Sequence, residues 1–228
     1  MTQEARTIET IIREGTETER RLPDLDLNAD LLLDVVRQGE YARVEATAND
    51  PLPAGGMDAY RYRVRGFRDR KGRDGWTIRR ERGLEITVSP TGSHAVITRA
   101  GDAGVGLRDG YPQPKGKIGD TTCDAVDANA SLLLDPNWMN ATRRPANDDG
   151  SAADECQTWM LLVYREGDVV RSELSLPSGV EETATGTRVL GWVERLILPE
   201  LDFSNEPTGR SEESSGPVGA EPTVVRKR

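Results

Sequence analysis

Acid–base and nucleophilic chemistry at neutral pH draws first on histidine and on activated thiols. The 228-residue sequence offers one histidine, His94, and two cysteines, Cys123 and Cys156. His94 falls in or beside a strand turn, and no spacing ties it to a nucleophile and an orienting acid, so it is read as structural. Cys123 stands near the start of a helical segment, where the helix dipole can lower a thiol pKa. It also belongs to that segment's apolar stripe, which argues for an inert core thiol. Cys156 precedes an apolar run and has no neighbouring base. No Cys-x-x-Cys, His-Glu-x-x-His, Gly-x-Ser-x-Gly or calcium-loop spacing occurs.

Two further groupings can hold ions. Asp26, Asp30 and Asp34 recur every four residues and share one helix face. Like charges so placed cost about 0.2–0.5 kcal/mol per pair, so compensation is expected. With no histidine or cysteine beside them, pairing with Arg61, Arg63 or Arg65 is favoured over a metal. Residues 100–119 carry six glycines and two prolines. The run Gly-Asp-Ala-Gly-Val-Gly at 101–106 lacks the spacing of a phosphate-binding or dinucleotide loop. Lys115 and Lys117 can touch an anion there, but a mobile connector is the expected role. Nothing in these spacings calls for a cofactor or a metal, and none is expected.

The strongest departure from the average composition is residues 60–83, YRYRVRGFRDRKGRDGWTIRRERG. This stretch has nine arginines and one lysine against Asp69, Asp74 and Glu81, a net +7. The chain as a whole carries −9, so the remainder carries −16. Tyr60, Tyr62 and Val64 alternate with Arg61, Arg63 and Arg65, and Trp76 and Ile78 alternate with Thr77 and Arg79. That period predicts two strands joined by a cationic tip. Arg61, Arg63, Arg65, Arg70, Lys71, Arg73 and Arg79 are the candidate binding residues, because a guanidinium fork suits phosphates and carboxylates. Against this, the acidic remainder can satisfy the arginines internally. The tyrosines, Trp76 and Ile78 would then pack a core rather than stack on bases.

The elements around these residues predict an α+β fold. A mostly antiparallel sheet of about six strands is expected, with three helices packed on it. The helices are 28–38, with Asp26 or Asn28 as cap and Gly39 just past its end, 120–134, stopped by Pro136, and 188–198, ended by Pro199. The strands run from 41–48 through the basic hairpin to 84–88 and 94–99 as a meander. They resume at 158–164, apolar on both faces and therefore central, and at 169–176 across a turn at 165–168. Three segments divide the chain: an amphipathic helix or arm over 1–22, one globular domain over 23–203, and a disordered tail over 204–228, rich in Ser, Glu, Gly and Pro.

Composition narrows the function. Hydrophobic residues make up 36% and charged residues 30%, with a pI near 4.9. That balance opposes non-specific nucleic-acid binding by the whole molecule. Two cysteines are too few for a disulfide scaffold, no apolar run reaches membrane-spanning length, and the opening MTQEARTIETIIREG is polar. The expectation is a cytoplasmic, non-catalytic binding or adaptor protein with a protein partner and no membrane contact. Nucleic-acid binding through the seven basic residues is the second reading. An enzyme acting on a small polar or phosphorylated substrate near 101–119 is the third, and it needs His94, Lys115, Lys117 and a carboxylate in one pocket.

Overall fold

The computed structural model describes residues 9–116, 118–132, 156–184 and 186–204. The expected tail beyond residue 204, the loop 137–155, Lys117 and residues 1–8 lie outside them. The described chain is α+β, with a sheet that is mixed and larger than expected. Its strands are β1 (Ile11–Arg13), β2 (Thr77–Glu81), β3 (Leu84–Val88), β4 (His94–Ala100), β5 (Gln157–Glu166), β6 (Val169–Thr183), β7 (Gly186–Ile197) and β8 (Leu201–Asp202). The order across the sheet is β1-β7-β6-β5-β4-β3-β2, with β8 paired to the start of β6. The pairs β4–β5 and β1–β7 are parallel, and the others are antiparallel.

Among the described residues four α-helices stand where three were expected: α1 (Thr16–Arg21), α2 (Ala29–Val44), α3 (Ala54–Lys71) and α4 (Asp120–Leu132). A 3-10 turn at Leu22–Leu25, α2 and Phe67 of α3 bury Leu22, Leu25, Leu32, Val35 and Val36 against Trp159, Leu161, Leu174 and Val193. This is the helical face. The opposite, loop face packs Val105, Ile118 and Val126 of α4 against Ile86, Ile97, Met160, Leu162 and Trp192. β5 is the central strand that its two-sided apolar run predicts, and the β5–β6 hairpin turns at Gly167 with φ 60°. Parallel neighbours need a crossover. Here the chain leaves β4, passes over the loop face through 101–116 and α4, and returns as β5.

The expected basic hairpin is not formed. Residues 54–71 are one helix, and only 77–81 are strand. The inward face of α3 is Ala59, Arg63, Gly66, Phe67 and Lys71, a helical spacing. Two of those five are cations, so the stripe hides behind an accidental alternation of Tyr, Arg and Val. The local ion pairs Asp58–Arg61 and Arg65–Asp69, three and four residues apart, are the helical signal. The first half of the predicted strand 41–48 is likewise the last turn of α2, and 45–48 lie beyond its end outside any strand. Asn28 caps that helix, accepting from the Leu31 amide at 2.8 Å. Gly39 lies inside α2 rather than past its end.

The expected helix 188–198 is strand β7. Residues 192–198 are all buried, because β7 is covered on both faces. Such a run carries no alternation, so its period cannot separate strand from helix. Within the segment expected as a helix or arm, Ile11 and Ile12 belong to β1, whose residues pair with Glu194–Leu196 of β7, and a short helix follows at Thr16–Arg21.

Candidate functional site

α3 and the edge strand β2 border an open groove of about 410 Å³ on the helical face. Tyr60, Arg61, Val64, Arg65 and Arg68 line it from α3, Ile78 and Arg80 from β2, and Asp69 and Glu85 complete it. The α3 positions follow the i, i+1, i+4, i+5, i+8 pattern of one helix face. Ile78 and Arg80 face α3 because they sit opposite Thr87 and Glu85 of β3, and Arg68 bonds to both of those residues. The floor is apolar. Ile78 leaves 51% of its surface in solvent.

Electrostatics make the groove cationic. Glu85 receives two guanidiniums, Arg68 at 2.7 Å and Arg80 at 3.2 Å. Arg65 pairs with the exposed Asp69 at 3.4 Å, and Arg61 reaches Asp58 at 3.1 Å while lying over the Tyr62 ring. Four guanidiniums thus face two carboxylates along its lining. Exposed pairs of this kind contribute about 0–1 kcal/mol and exchange partners readily.

The seven candidate residues do not converge. Arg61 and Arg65 stand on the groove wall, each 67% exposed. Arg63 is 1% exposed and donates to the fully buried Glu40 at 2.9 Å. Burial pulls its pKa down to about 10, against the pull of the Glu40 charge. Glu40 also receives Arg43 at 2.7 Å and Arg165 at 3.6 Å. Arg70 turns to Gln38 of α2 at 3.0 Å. Lys71 is buried under Trp76, bonded to Asp26 at 2.9 Å and Asp74 at 2.7 Å. Arg73 is exposed in a 3-10 turn. Arg79 faces the opposite side of β2, across from Ile86, and pairs with Glu81 at 2.9 Å. The acidic helix face does not pair with Arg61, Arg63 or Arg65 either. Asp26 takes Lys71, and Asp34 takes Arg37. Sequence reasoning missed Arg68, Arg80 and Glu85 as site residues, and the i, i+4 ladder through Arg61 and Arg65 was the available sign.

His94 is buried on the helical face. Its Nε2–H donates to the Leu25 carbonyl at 2.9 Å, which leaves Nδ1 to accept the Ser93 hydroxyl at 3.1 Å. The tautomer follows from the carbonyl, which can only accept. Trp76 meets the ring edge-on at 5.2 Å. Burial lowers the imidazole pKa to about 4, outweighing the Leu25 bond. No acid orients it. The carboxylate nearest in charge, Asp26, is bonded to Trp76 and Lys71. The thiols are raised rather than activated: burial pushes Cys156 up to about 11, and burial with the charges of Asp127 and Asp120 raises Cys123.

The glycine-rich loop is fastened rather than a loose connector. Arg195 and Glu173 form a buried ion pair on the loop face, at 3.0 and 2.6 Å. Arg195 also donates to the carbonyls of Leu107, Arg108 and Gly110. The Gly106 amide donates to Glu173 at 2.8 Å, and the Trp192 indole to the Pro112 carbonyl at 3.0 Å. His94 and this loop lie on opposite sides of the sheet, so they do not share a pocket. Among the described residues no three metal-ligating side chains converge, and no helix is long and apolar enough to cross a membrane. Comparison with family models, with curated proteins and with solved structures finds no match to this chain.

Proposed function

We propose that this chain is a non-catalytic binding protein that works through contact with another protein, and that the groove between α3 and β2 makes the contact. The observation that carries this reading is Ile78. A β-branched apolar side chain is half exposed on a sheet edge, beside Tyr60 and Val64 and within a rim of arginines. An apolar centre with an arginine rim is the anatomy of protein interfaces. The two unpaired thiols suit a reducing compartment, and we place the protein in the cytoplasm.

Nucleic-acid binding is the weaker reading. Of its seven cations, Arg63 and Lys71 are internal and Arg70 is turned to α2. Four phosphate contacts from the groove would give a log K against log salt slope of roughly −3.6.

The test is cross-linking in cells with a photo-reactive amino acid at Ile78. One or a few discrete protein adducts are expected, and they should disappear when Arg61→Glu and Arg65→Glu are added. Adducts to nucleic acid, or protein adducts indifferent to those two changes, would refute the assignment.

A further inference from the structure

We infer that the partner's contacting segment is an acidic extended strand, which adds to the sheet alongside β2 with its apolar side chains in the groove. This rests on the protein-binding reading above and specifies the chemistry of what binds. β2 ends the strand order, and among the described residues nothing pairs with its outer edge. Alternate residues of Thr77–Glu81 therefore turn their amide and carbonyl groups outward, ready to accept another strand. At about 3.4 Å per residue, β2 offers roughly 17 Å of edge, enough for a five-residue ladder.

Three observations fix the character of that strand. An added strand's side chains alternate between the two sides of the sheet, and those on the helical side enter the space bounded by Tyr60, Val64 and Ile78. Apolar residues belong there. Residues at the ends of that row meet Arg61, Arg65 and Arg80, so acidic residues belong there. Those on the other side run past Thr77, Arg79 and Glu81, where Arg79 already pairs with Glu81 at 2.9 Å, so that row carries no charge requirement of its own. A second copy of this chain is disfavoured, because antiparallel pairing of β2 with β2 centred on Arg79 or on Arg80 sets that arginine against its own copy. A phosphate backbone is disfavoured too. It makes no ladder with main-chain amides and carbonyls.

The probe is the capped peptide Glu-Glu-Val-Glu-Val-Glu-Glu. Its groove-side row reads Glu-Val-Val-Glu and its other row is entirely acidic. Two controls accompany it: the same peptide with lysine for every glutamate, and the same acidic peptide N-methylated at alternate amides in each of the two phases. Binding to the full chain is followed by fluorescence anisotropy, and the Thr77–Glu81 amides by hydrogen exchange. The acidic peptide should bind saturably, with at least tenfold loss for one N-methylated phase, for the lysine peptide, and for Arg61→Glu with Arg65→Glu. Alternate amides of β2 should gain at least tenfold protection. Ile78→Glu, at a half-exposed position, should weaken binding by a similar factor without unfolding the sheet. Equal affinity for both N-methylated peptides and the parent overturns strand addition. So does binding of the lysine peptide as tight as the acidic one, tighter binding of a single-stranded oligonucleotide, or no binding at millimolar peptide. If any of these results accompanies groove-dependent protein adducts at Ile78, the strand chemistry falls while the protein-binding reading stands.

Discussion

Arg195 holds Glu173 in a two-bonded fork inside the molecule, and its remaining donors go to three loop carbonyls. The pair stands where β6 and β7 meet the 101–116 loop, so it links the sheet to its cover. A buried pair of this kind is weak support for net stability, but removing Arg195 leaves the Glu173 carboxylate without its counter-charge, still accepting from Gly106 and Ser175, and takes a donor from three loop carbonyls. Arg195→Leu should cost about 3–5 kcal/mol in chemical denaturation. It should also release the Gly106 amide to hydrogen exchange. The double change Arg195→Leu with Glu173→Leu should recover most of that stability without restoring Gly106 protection. A cost below about 1 kcal/mol for the single change would mean that the loop is held by its other bonds.

Two glycines on the paired helices should respond in opposite directions to the same substitution. A Cβ on Gly39 would come within 2.4 Å of Arg63 Cγ and 2.8 Å of the Ala59 carbonyl oxygen. α2 and α3 cross at that point, and neither neighbour is the free end of a side chain. Gly39→Ala should destabilise by about 1–3 kcal/mol, the usual cost of overpacking. Gly56, in the first turn of α3, has nothing within 4 Å of its Cβ position. Gly56→Ala should stabilise by about 0.5–1 kcal/mol through helix propensity alone. Urea melts of the two variants decide the matter, and a Gly39→Ala protein as stable as the parent would show that the helices can part without penalty.

His94 should make stability fall as the medium is acidified from neutrality. In the unfolded chain an imidazole takes its proton near pH 6.5, but burial in the fold lowers His94 to about 4. Between those values the unfolded chain binds the extra proton, so stability is full above pH 6.5 and declines towards pH 4. The total effect is on the order of 3 kcal/mol. Asp26, with its Trp76 and Lys71 bonds, faces this cluster. Burial alone would raise its carboxyl, but those bonds and the Lys71 charge hold it below its usual value, so its own contribution is lost only at more acid pH. Because the sequence has one histidine, its ring proton can be followed by NMR without ambiguity. The resonance should stay flat from pH 8 to 5, and a midpoint near 6.5 would contradict the buried geometry. His94→Gln should flatten the stability slope in the same window.

The elements that could be read from sequence were those whose side chains obey the inside–outside rule. β5 and β6 declare themselves through an apolar run and a clean alternation, and α4 through its starting residues and its stripe. α3 broke the rule because its buried row includes Arg63 and Lys71, each neutralised by an acid distant in sequence, Glu40 and Asp26. β7 broke it in another way. Glu194 and Arg195 are neighbours buried on opposite faces, one under Arg13 and Arg21 and the other against Glu173. Two adjacent charges in an apolar run imitate the polar side of a helix. The groove followed the same logic. Its apolar members were visible as alternating residues, but Val64 and Ile78 belong to different elements, and only the helix–strand boundary after Lys71 sets them side by side. The parallel β4–β5 pairing left no local mark at all, since a crossover is a property of topology.

The hairpin that carries β2 keeps a strained corner. Only Arg82 and Gly83 lie between the paired residues Glu81 and Leu84, and their φ angles are 43° and 86°. Two positive values in a two-residue loop suit Asn-Gly, whereas arginine there opposes the steric preference of an L residue. Among the described residues Arg82 pairs with Asp124 at 3.7 Å, a contact that joins two well-exposed groups and adds little. Arg82→Asn should therefore stabilise the protein by about 0.5–1 kcal/mol, with slower hydrogen exchange on the β2–β3 ladder amides. It removes a cation outside the groove lining, so acidic-peptide affinity should stay within about twofold of the parent. A large fall in affinity would instead place Arg82 among the contacts and extend the binding surface to the tip of the hairpin.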